Sequence, residues 1–289
     1  MMRLVPLRKL ARRLYRRLRP RPTPSTAANA PDFAARKAAK LARIRPLLRP
    51  DVPVVEYPLR FDCLTPELRR QFWAIDPDTP SAHEYDPIAT GLIADLPGGL
   101  ILDCGAGFRP TYYDTVVNFE IAAYPTTDVC GVGERLPFRD NSFDAAFSFA
   151  VLEHVTDPFA CAAELARVLK PGGVLYCVVP FLQPYHGYPH HYFNMTHHGL
   201  ARLFADKMVI ERQEVNGGGR PIFSLTWIMR RWAEQLPPAA RAEFLNTKVA
   251  DLLGDPLSYM DKSYVTGLPE EANFELASTT SLIARKKAA

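Results

Sequence analysis

The stretch Leu100-Ile101-Leu102-Asp103-Cys104-Gly105-Ala106-Gly107 decides how the chain is read. An unbroken aliphatic run between Gly98-Gly99 and Gly105 is the pattern of a central parallel strand buried on both faces. Open α/β sheets place their ligands at the carboxyl ends of such strands, and glycines there let the backbone approach a ligand closely. An acid two residues before the first glycine suits a cationic ligand group better than a phosphate. A dinucleotide site would want a third glycine where Pro110 stands, and a helix N-terminus for the pyrophosphate.

Upstream of this strand, Asp86 reads as an N-cap and Pro87 as a first helical position. Ile88, Leu92, Ile93 and Leu96 supply one apolar face. Downstream, short apolar runs predict strands at 115–119, 127–130, 143–149 and 174–179. Asp157-Pro158 repeats the cap, with Phe159, Ala162, Leu165, Ala166 and Leu169 as the stripe and Lys170-Pro171-Gly172-Gly173 as the stop. A helix feeding a buried strand is a βαβ unit. Further strands are expected at 208–215 and 276–284, and an amphipathic helix at 222–236 on Ile222, Leu225, Trp227, Ile228, Met229, Trp232 and Leu236.

Composition sets the outer bounds. The 289 residues are 47% apolar, enough for one generous core with additions. The net charge of +4 hides an asymmetry, because residues 1–50 hold 15 Lys/Arg against the single acid Asp32. Leu7, Leu10, Leu14 and Leu18 recur at helical spacing among arginines, and Pro20, Pro22 and Pro24 end the pattern. The segment is either an attachment to an anionic membrane surface, a mitochondrial transit peptide, or a solvated tail. Nucleic-acid binding is not expected, since the basic run has one aromatic, Tyr15, and no module beside it. The scattered Cys63, Cys104, Cys130, Cys161 and Cys177 read as buried thiols of a reducing compartment; no CxxC pair offers a zinc site. With no run of about twenty apolar residues, the expected location is cytoplasmic, with peripheral membrane association open.

Glu120 ends the second of these strands, and an ionised carboxylate can accept from both hydroxyls of a ribose. It follows Gly107 by 13 residues, against about 20 in a nicotinamide unit, so the intervening helix is vestigial or absent. Together with Pro110, this argues against a nicotinamide oxidoreductase. Hydrolase, nucleotide-triphosphatase and zinc-protease readings lack their Gly-x-Ser-x-Gly, P-loop and His-Glu-x-x-His signatures.

Four consecutive motifs carry a resemblance: Leu100 to Gly107; Gly133-Glu-Arg-Leu-Pro-Phe-Arg-Asp-Asn-Ser-Phe-Asp144; Val151-Leu-Glu-His-Val155; and Arg167-Val-Leu-Lys-Pro-Gly-Gly173. Over roughly residues 86–215 the chain resembles the class I S-adenosylmethionine-dependent methyltransferases of the ubiquinone/menaquinone-biosynthesis (type 11) family. The resemblance implies S-adenosylmethionine as cofactor and S-adenosylhomocysteine as product. It implies that Asp103, Gly105 and Gly107 line the methionine end, Glu120 holds the ribose, Gly133 and Glu134 border the adenine, and Ala150 lies under the cofactor. Val132 stands where the family often has an Asp that meets the adenine amino group, and the short interval from Gly107 to Glu120 removes part of the usual wall. The expected architecture is α/β: a Rossmann-like, doubly wound, mostly parallel seven-stranded sheet with a helical insertion before the last strand. Residues 1–50 would be a basic helix and linker, 51–289 the methyltransferase domain, and 217–273 a cap over the substrate.

Methyl transfer from a sulfonium is an in-line displacement that alignment alone can promote; a base helps when the acceptor is a hydroxyl. Five of the seven histidines fall between His186 and His198, after the fifth expected strand. His191, then His186, are the candidate base or substrate-orienting groups, unless the loop's aromatics merely pack a lid. His154 either faces the substrate or holds its turn. No histidine spacing matches a recognised metal motif, so no metal is expected. The acceptor is expected to be a small molecule or a glycan or lipid-linked group, methylated on oxygen. The competing class is a methyltransferase-like binding or assembly protein without turnover.

Overall fold

The computed structural model describes residues 32–74, 82–187 and 190–286. Its centre is the expected buried strand, β3 (Ile101–Cys104), every residue of which is enclosed. Around it lie β1 (Val55–Tyr57), β2 (Arg60–Asp62), β4 (Val116–Glu120), β5 (Val129–Cys130), β6 (Phe143–Phe149) and β7 (Leu169–Val178). They form a seven-stranded sheet in the order β1-β2-β5-β4-β3-β6-β7, parallel throughout except for β1 against β2. The connection after β3 runs to one side of the sheet and that after β6 to the other. The switch point where such sheets bind ligands therefore falls between β3 and β6.

Strand alternation divides the core into two faces. Ile101, Val116, Ala145 and Phe147 pack against Ala89 and Ile93 of α3 (Pro87–Asp95). Leu102, Val117, Phe119 and Ala146 pack on the other side with α1 (Phe33–Ile44), α4 (Pro158–Val168) and α5 (His197–Phe204). The short α2 (Pro66–Gln71) follows β2. The caps read from the sequence are made: Ala89 N–H donates to Asp86 and Ala160 N–H to Asp157, each at 2.9 Å. All five cysteines are free thiols, four of them buried.

Three expectations need correction. Residues 208–215 form no strand, and Val209 and Val215 stand in solvent. The four consecutive polar residues Glu211 to Glu214 leave too short an apolar run to bury on the sheet edge. The anticipated last strand is also missing: α9 (Glu270–Leu276) occupies its start, and residues 277–286 are exposed coil, whose four consecutive hydroxyl residues Ser278 to Ser281 offer no apolar face to bury beside the edge strand β7. The sixth and seventh strands are instead the hairpin β1–β2 at the opposite edge, turned by Pro58-Leu59. The helical segment of α6 (Pro221–Gln235), α7 (Pro238–Asn246), α8 (Ser263–Thr266) and α9 thus follows the sheet's last strand and precedes none. The helix expected at 222–236 is α6.

The basic helix expected at residues 7–19 lies outside the described residues. Part of the N-terminal charge has a structural task, however, because α1 belongs to the core. Lys40 is buried, donating to Asp128 Oδ2 at 2.8 Å and to the Val116 carbonyl at 2.6 Å. Asp128 also accepts from the Tyr112 hydroxyl at 2.6 Å and from Asn118 N–H at 2.9 Å. Lys37 donates to the carbonyls of Pro125 and Thr127. These bonds tie α1 to the amino ends of β4 and β5. Removing one partner of such a pair strands the other charge in the interior. Lys40→Ala should therefore cost about 3–5 kcal/mol, read as a fall in urea midpoint, whereas the exposed Arg70–Glu67 pair should yield under about 1 kcal/mol when broken.

Candidate active site

At the carboxyl end of β3 the chain reverses without a helix, as the short interval to Glu120 anticipates. Gly105 and Gly107 take positive φ, 79° and 60°. Gly105 and Ala106 donate to the Phe119 carbonyl at 2.9 and 3.0 Å, folding the turn back over β4. The Glu120 carboxylate closes the turn, accepting from Gly107 N–H at 2.7 Å and Ile121 N–H at 2.8 Å. Burial pushes the Glu120 carboxyl up from its ordinary value, and these backbone donors oppose that shift. Each oxygen retains acceptor capacity, which is the chemistry a ribose diol requires.

Asp103 is fully enclosed behind this turn. Its Oδ2 accepts from Arg109 Nε at 2.8 Å and from the Tyr85 hydroxyl at 2.6 Å, while the Arg109 guanidinium lies over the Tyr85 ring. A third contact, from Arg109 to the His83 carbonyl at 3.0 Å, completes the clamp. Burial would discharge Arg109, but the adjacent carboxylate more than offsets it and holds the guanidinium firmly charged. Asp103 Oδ1 is buried with no partner among the described residues. An orphaned carboxylate oxygen invites a donor, and an ammonium group fits it best.

The other expected cofactor residues arrive on neighbouring strand ends. Val132, Gly133 and Glu134 follow β5, and Ala150, at φ 54°, follows β6. A Cβ on Gly133 would come within 2.8 Å of Cys161 Sγ, so this backbone lies flush against α4. Glu134 accepts from both the N–H and the hydroxyl of Thr156, at 3.0 and 3.1 Å, joining the loop after β5 to the loop after β6. Gly105, Gly107, Glu120, Val132, Gly133, Glu134, Ala150, His154 and His186 line one cleft; Asp103 and His191 do not.

The histidines divide by role. His191 Nδ1 accepts from His186 N–H at 3.1 Å and its Nε2 pairs with the Phe193 carbonyl at 3.1 Å. Both ring nitrogens thus serve the loop's own backbone. His154 presents Nδ1 to the His190 carbonyl at 2.7 Å, which makes Nδ1 the protonated nitrogen and leaves Nε2 as an acceptor. Burial holds its pKa below the ordinary histidine value. Arg109, Tyr85 and Glu153 escape a reading of the sequence. Arg109 sits in a turn where charge is normally solvated, and Tyr85 lies far from Asp103 along the chain. Glu153 is concealed inside the Leu152-Glu153-His154 motif.

Residues 104–177 match the Methyltransf_11 family model, a methyltransferase domain. An uncharacterized methyltransferase of Mycolicibacterium paratuberculosis is 38% identical over 125 residues, covering 36% of this chain and 48% of the relative. Cycloartenol-C-24-methyltransferase 1 of Oryza sativa subsp. japonica is 37% identical over 54 residues, which is 17% of this chain and 16% of that one. Among solved structures, the Burkholderia thailandensis 1,6-didemethyltoxoflavin-N1-methyltransferase with bound 1,6-didemethyltoxoflavin and S-adenosylhomocysteine aligns at 21% identity and a TM-score of 0.35, over 42% of this chain and 65% of that one. The chain spans about half the length of its mycobacterial relatives, 48% of one and 55% of another.

The turn's geometry is testable without any ligand. A Cβ on Gly105 would lie 2.3 Å from Val151 Cγ2, at a φ of 79° that L-residues rarely adopt. Gly105→Ala should destabilise the fold by about 2–4 kcal/mol, combining strain and overpacking. Adding Val151→Ala should recover the overpacking part, seen as a partial return of the thermal midpoint.

Proposed function

We propose that the chain is a class I S-adenosylmethionine-dependent methyltransferase that methylates an oxygen of a small-molecule, lipid-linked or glycan acceptor; the match of residues 104–177 to a methyltransferase family model and the 38% identity to a mycobacterial methyltransferase over 36% of the chain support this reading. The observation that carries the reading is the convergence of Gly105, Gly107, Glu120, Val132, Gly133, Glu134 and Ala150 on one cleft, with the His154 and His186 imidazoles in the same wall. When bound, the cofactor would supply a methyl group on an already activated leaving group. This chain's residues would do the rest. Gly105 and Gly107 would line its methionine end, with Asp103 enclosed behind them, Glu120 would take its ribose hydroxyls, and the Val132 to Glu134 loop would border its adenine. Val132, being apolar and buried, would pack on the ring where other family members place an acid.

The acceptor must be aligned and, if a hydroxyl, must lose a proton as the bond forms. His154 Nε2 and the His186 ring are the groups placed to orient it and hold that proton. His191, engaged through both nitrogens, would set the shape of the loop. A second reading, a methyltransferase-like binding or assembly protein, is favoured by one observation: Arg109 already neutralises Asp103.

Calorimetric titration with S-adenosylhomocysteine separates the two. The wild type should bind, and Glu120→Ala should weaken binding at least about tenfold, equivalent to the loss of a charge-assisted hydrogen bond of about 1.4 kcal/mol or more; the variant should still unfold cooperatively, at a lowered thermal midpoint because the Gly107 and Ile121 amides lose their acceptor. A folded wild type that takes up no S-adenosylhomocysteine would favour the assembly protein. Once an acceptor is found, His154→Ala should lower kcat while leaving S-adenosylhomocysteine affinity intact. Among the described residues no helix is long and apolar enough to cross a membrane. We further propose that residues 1–20 rest on anionic lipid through their arginines and leucines. Deleting residues 1–24 should then abolish sedimentation with phosphatidylserine vesicles, and continued sedimentation would place the contact on the folded domain.

A further inference from the structure

Glu153 is the least explained group in the molecule. Its side chain is completely enclosed, and among the described residues neither carboxylate oxygen has a hydrogen-bond partner. A buried carboxylate without donors is costly unless it is neutralised or paired with a cation. Two imidazoles stand against it. His154 Nε2 lies 3.8 Å from Glu153 Oε1, and one ligand-competent atom from each of Glu153, His154 and His186 falls within 4.8 Å of the others.

The surroundings have the form of a built site. His154 Nδ1 is held by the His190 carbonyl and His186 Nδ1 meets the Pro184 carbonyl at 2.8 Å. Backbone acceptors of this kind fix the tautomer and ring orientation of metal-bound histidines. Gly187 brings the second imidazole in. Its φ is 97°, and a Cβ there would lie 2.3 Å from His154 Cε1, so no other residue type lets the loop settle onto that ring. The Trp227 ring packs 5.1 Å from the His186 ring and lines the same cleft.

We propose that Glu153, His154 and His186 bind a divalent transition-metal ion at the wall of the cleft. Two imidazoles and one carboxylate suit Zn²⁺, Co²⁺ or Fe²⁺, and do not suit Mg²⁺ or Ca²⁺, which take oxygen donors. Donor separations up to 4.8 Å must contract to the roughly 3.3 Å that metal–ligand bonds of about 2.0–2.2 Å impose, a movement within side-chain reach. The ion would meet Glu153 from the enclosed side, and its open positions would face the cleft that both imidazoles line. Its consequence rests on the methyl-transfer reading: a metal-bound acceptor hydroxyl has a lowered pKa and would release its proton to solvent in the cleft before transfer, so that no protein base would be required. Its existence does not rest on that reading.

The test uses the full chain, stripped with a chelator and titrated with Co²⁺ at neutral pH without cofactor or acceptor. One equivalent should produce visible d–d absorption of low-symmetry, N/O-ligated cobalt, removable by Zn²⁺, and should raise the thermal midpoint. Glu153→Gln, which keeps the shape and removes the charge, and His186→Ala should each weaken binding at least about tenfold. The metal-free Glu153→Gln protein should be no less stable than the wild type, which guards against loss of fold as the cause. A control variant, His197→Ala with His198→Ala, removes the neighbouring surface pair and should bind normally. Absent cobalt bands, or bands lost in the control and retained in Glu153→Gln, would overturn the site. Neither result touches S-adenosylhomocysteine binding, so failure here and failure of the methyltransferase reading are told apart.

Discussion

The carboxylate of Glu120 on the amide of Gly107 is the contact from which the cleft follows. Between β3 and β4 this chain has no helix whose N-terminus could organise the turn, so a side chain from the end of the next strand closes it. With the turn folded back over β4, Gly105 can lie against Val151 at the switch point between β3 and β6. The glycine backbone, the strand-terminal acid and the loop after β6 thereby become parts of one wall. Length saved in the connection is compensated by a charge-assisted hydrogen bond.

Charge is managed throughout by enclosure with a partner. Asp103 is held by Arg109 and Tyr85, and Asp128 by Lys40 and Tyr112. The first clamp sits at the carboxyl end of β3 and leaves Asp103 Oδ1 enclosed without a donor among the described residues; the second sits at the opposite end, where Asp128 has donors on both oxygens. Glu153 follows neither pattern, since among the described residues both its oxygens lack donors.

The relation between loop and site is also uneven. His191 carries the strongest signal in the sequence, flanked by histidine and tyrosine after the last sheet strand, yet its two nitrogens are consumed by backbone groups. His154, in a motif that reads as a turn, presents its ring to the cleft. Proximity in sequence to a ligand edge does not decide which nitrogen is available; hydrogen-bond partners do.

The sequence by itself determined what local chemistry encodes: the buried run of β3, the Asp-Pro helix starts, the glycine turn, and the acid that ends β4. Each is written in neighbouring residues, because strand burial, capping and turn conformation are short-range properties. Only the tertiary structure decided where the sheet ends and which charges meet. The hairpin at Val55–Tyr57 and Arg60–Asp62 completes the sheet because β5 offers it an edge, and 208–215 does not, because its polar centre cannot be buried. Arg109 with Asp103, Lys40 with Asp128, and Glu153 with two imidazoles are pairings across folded space. Their energetics come from shared exclusion of water, which no single segment can express.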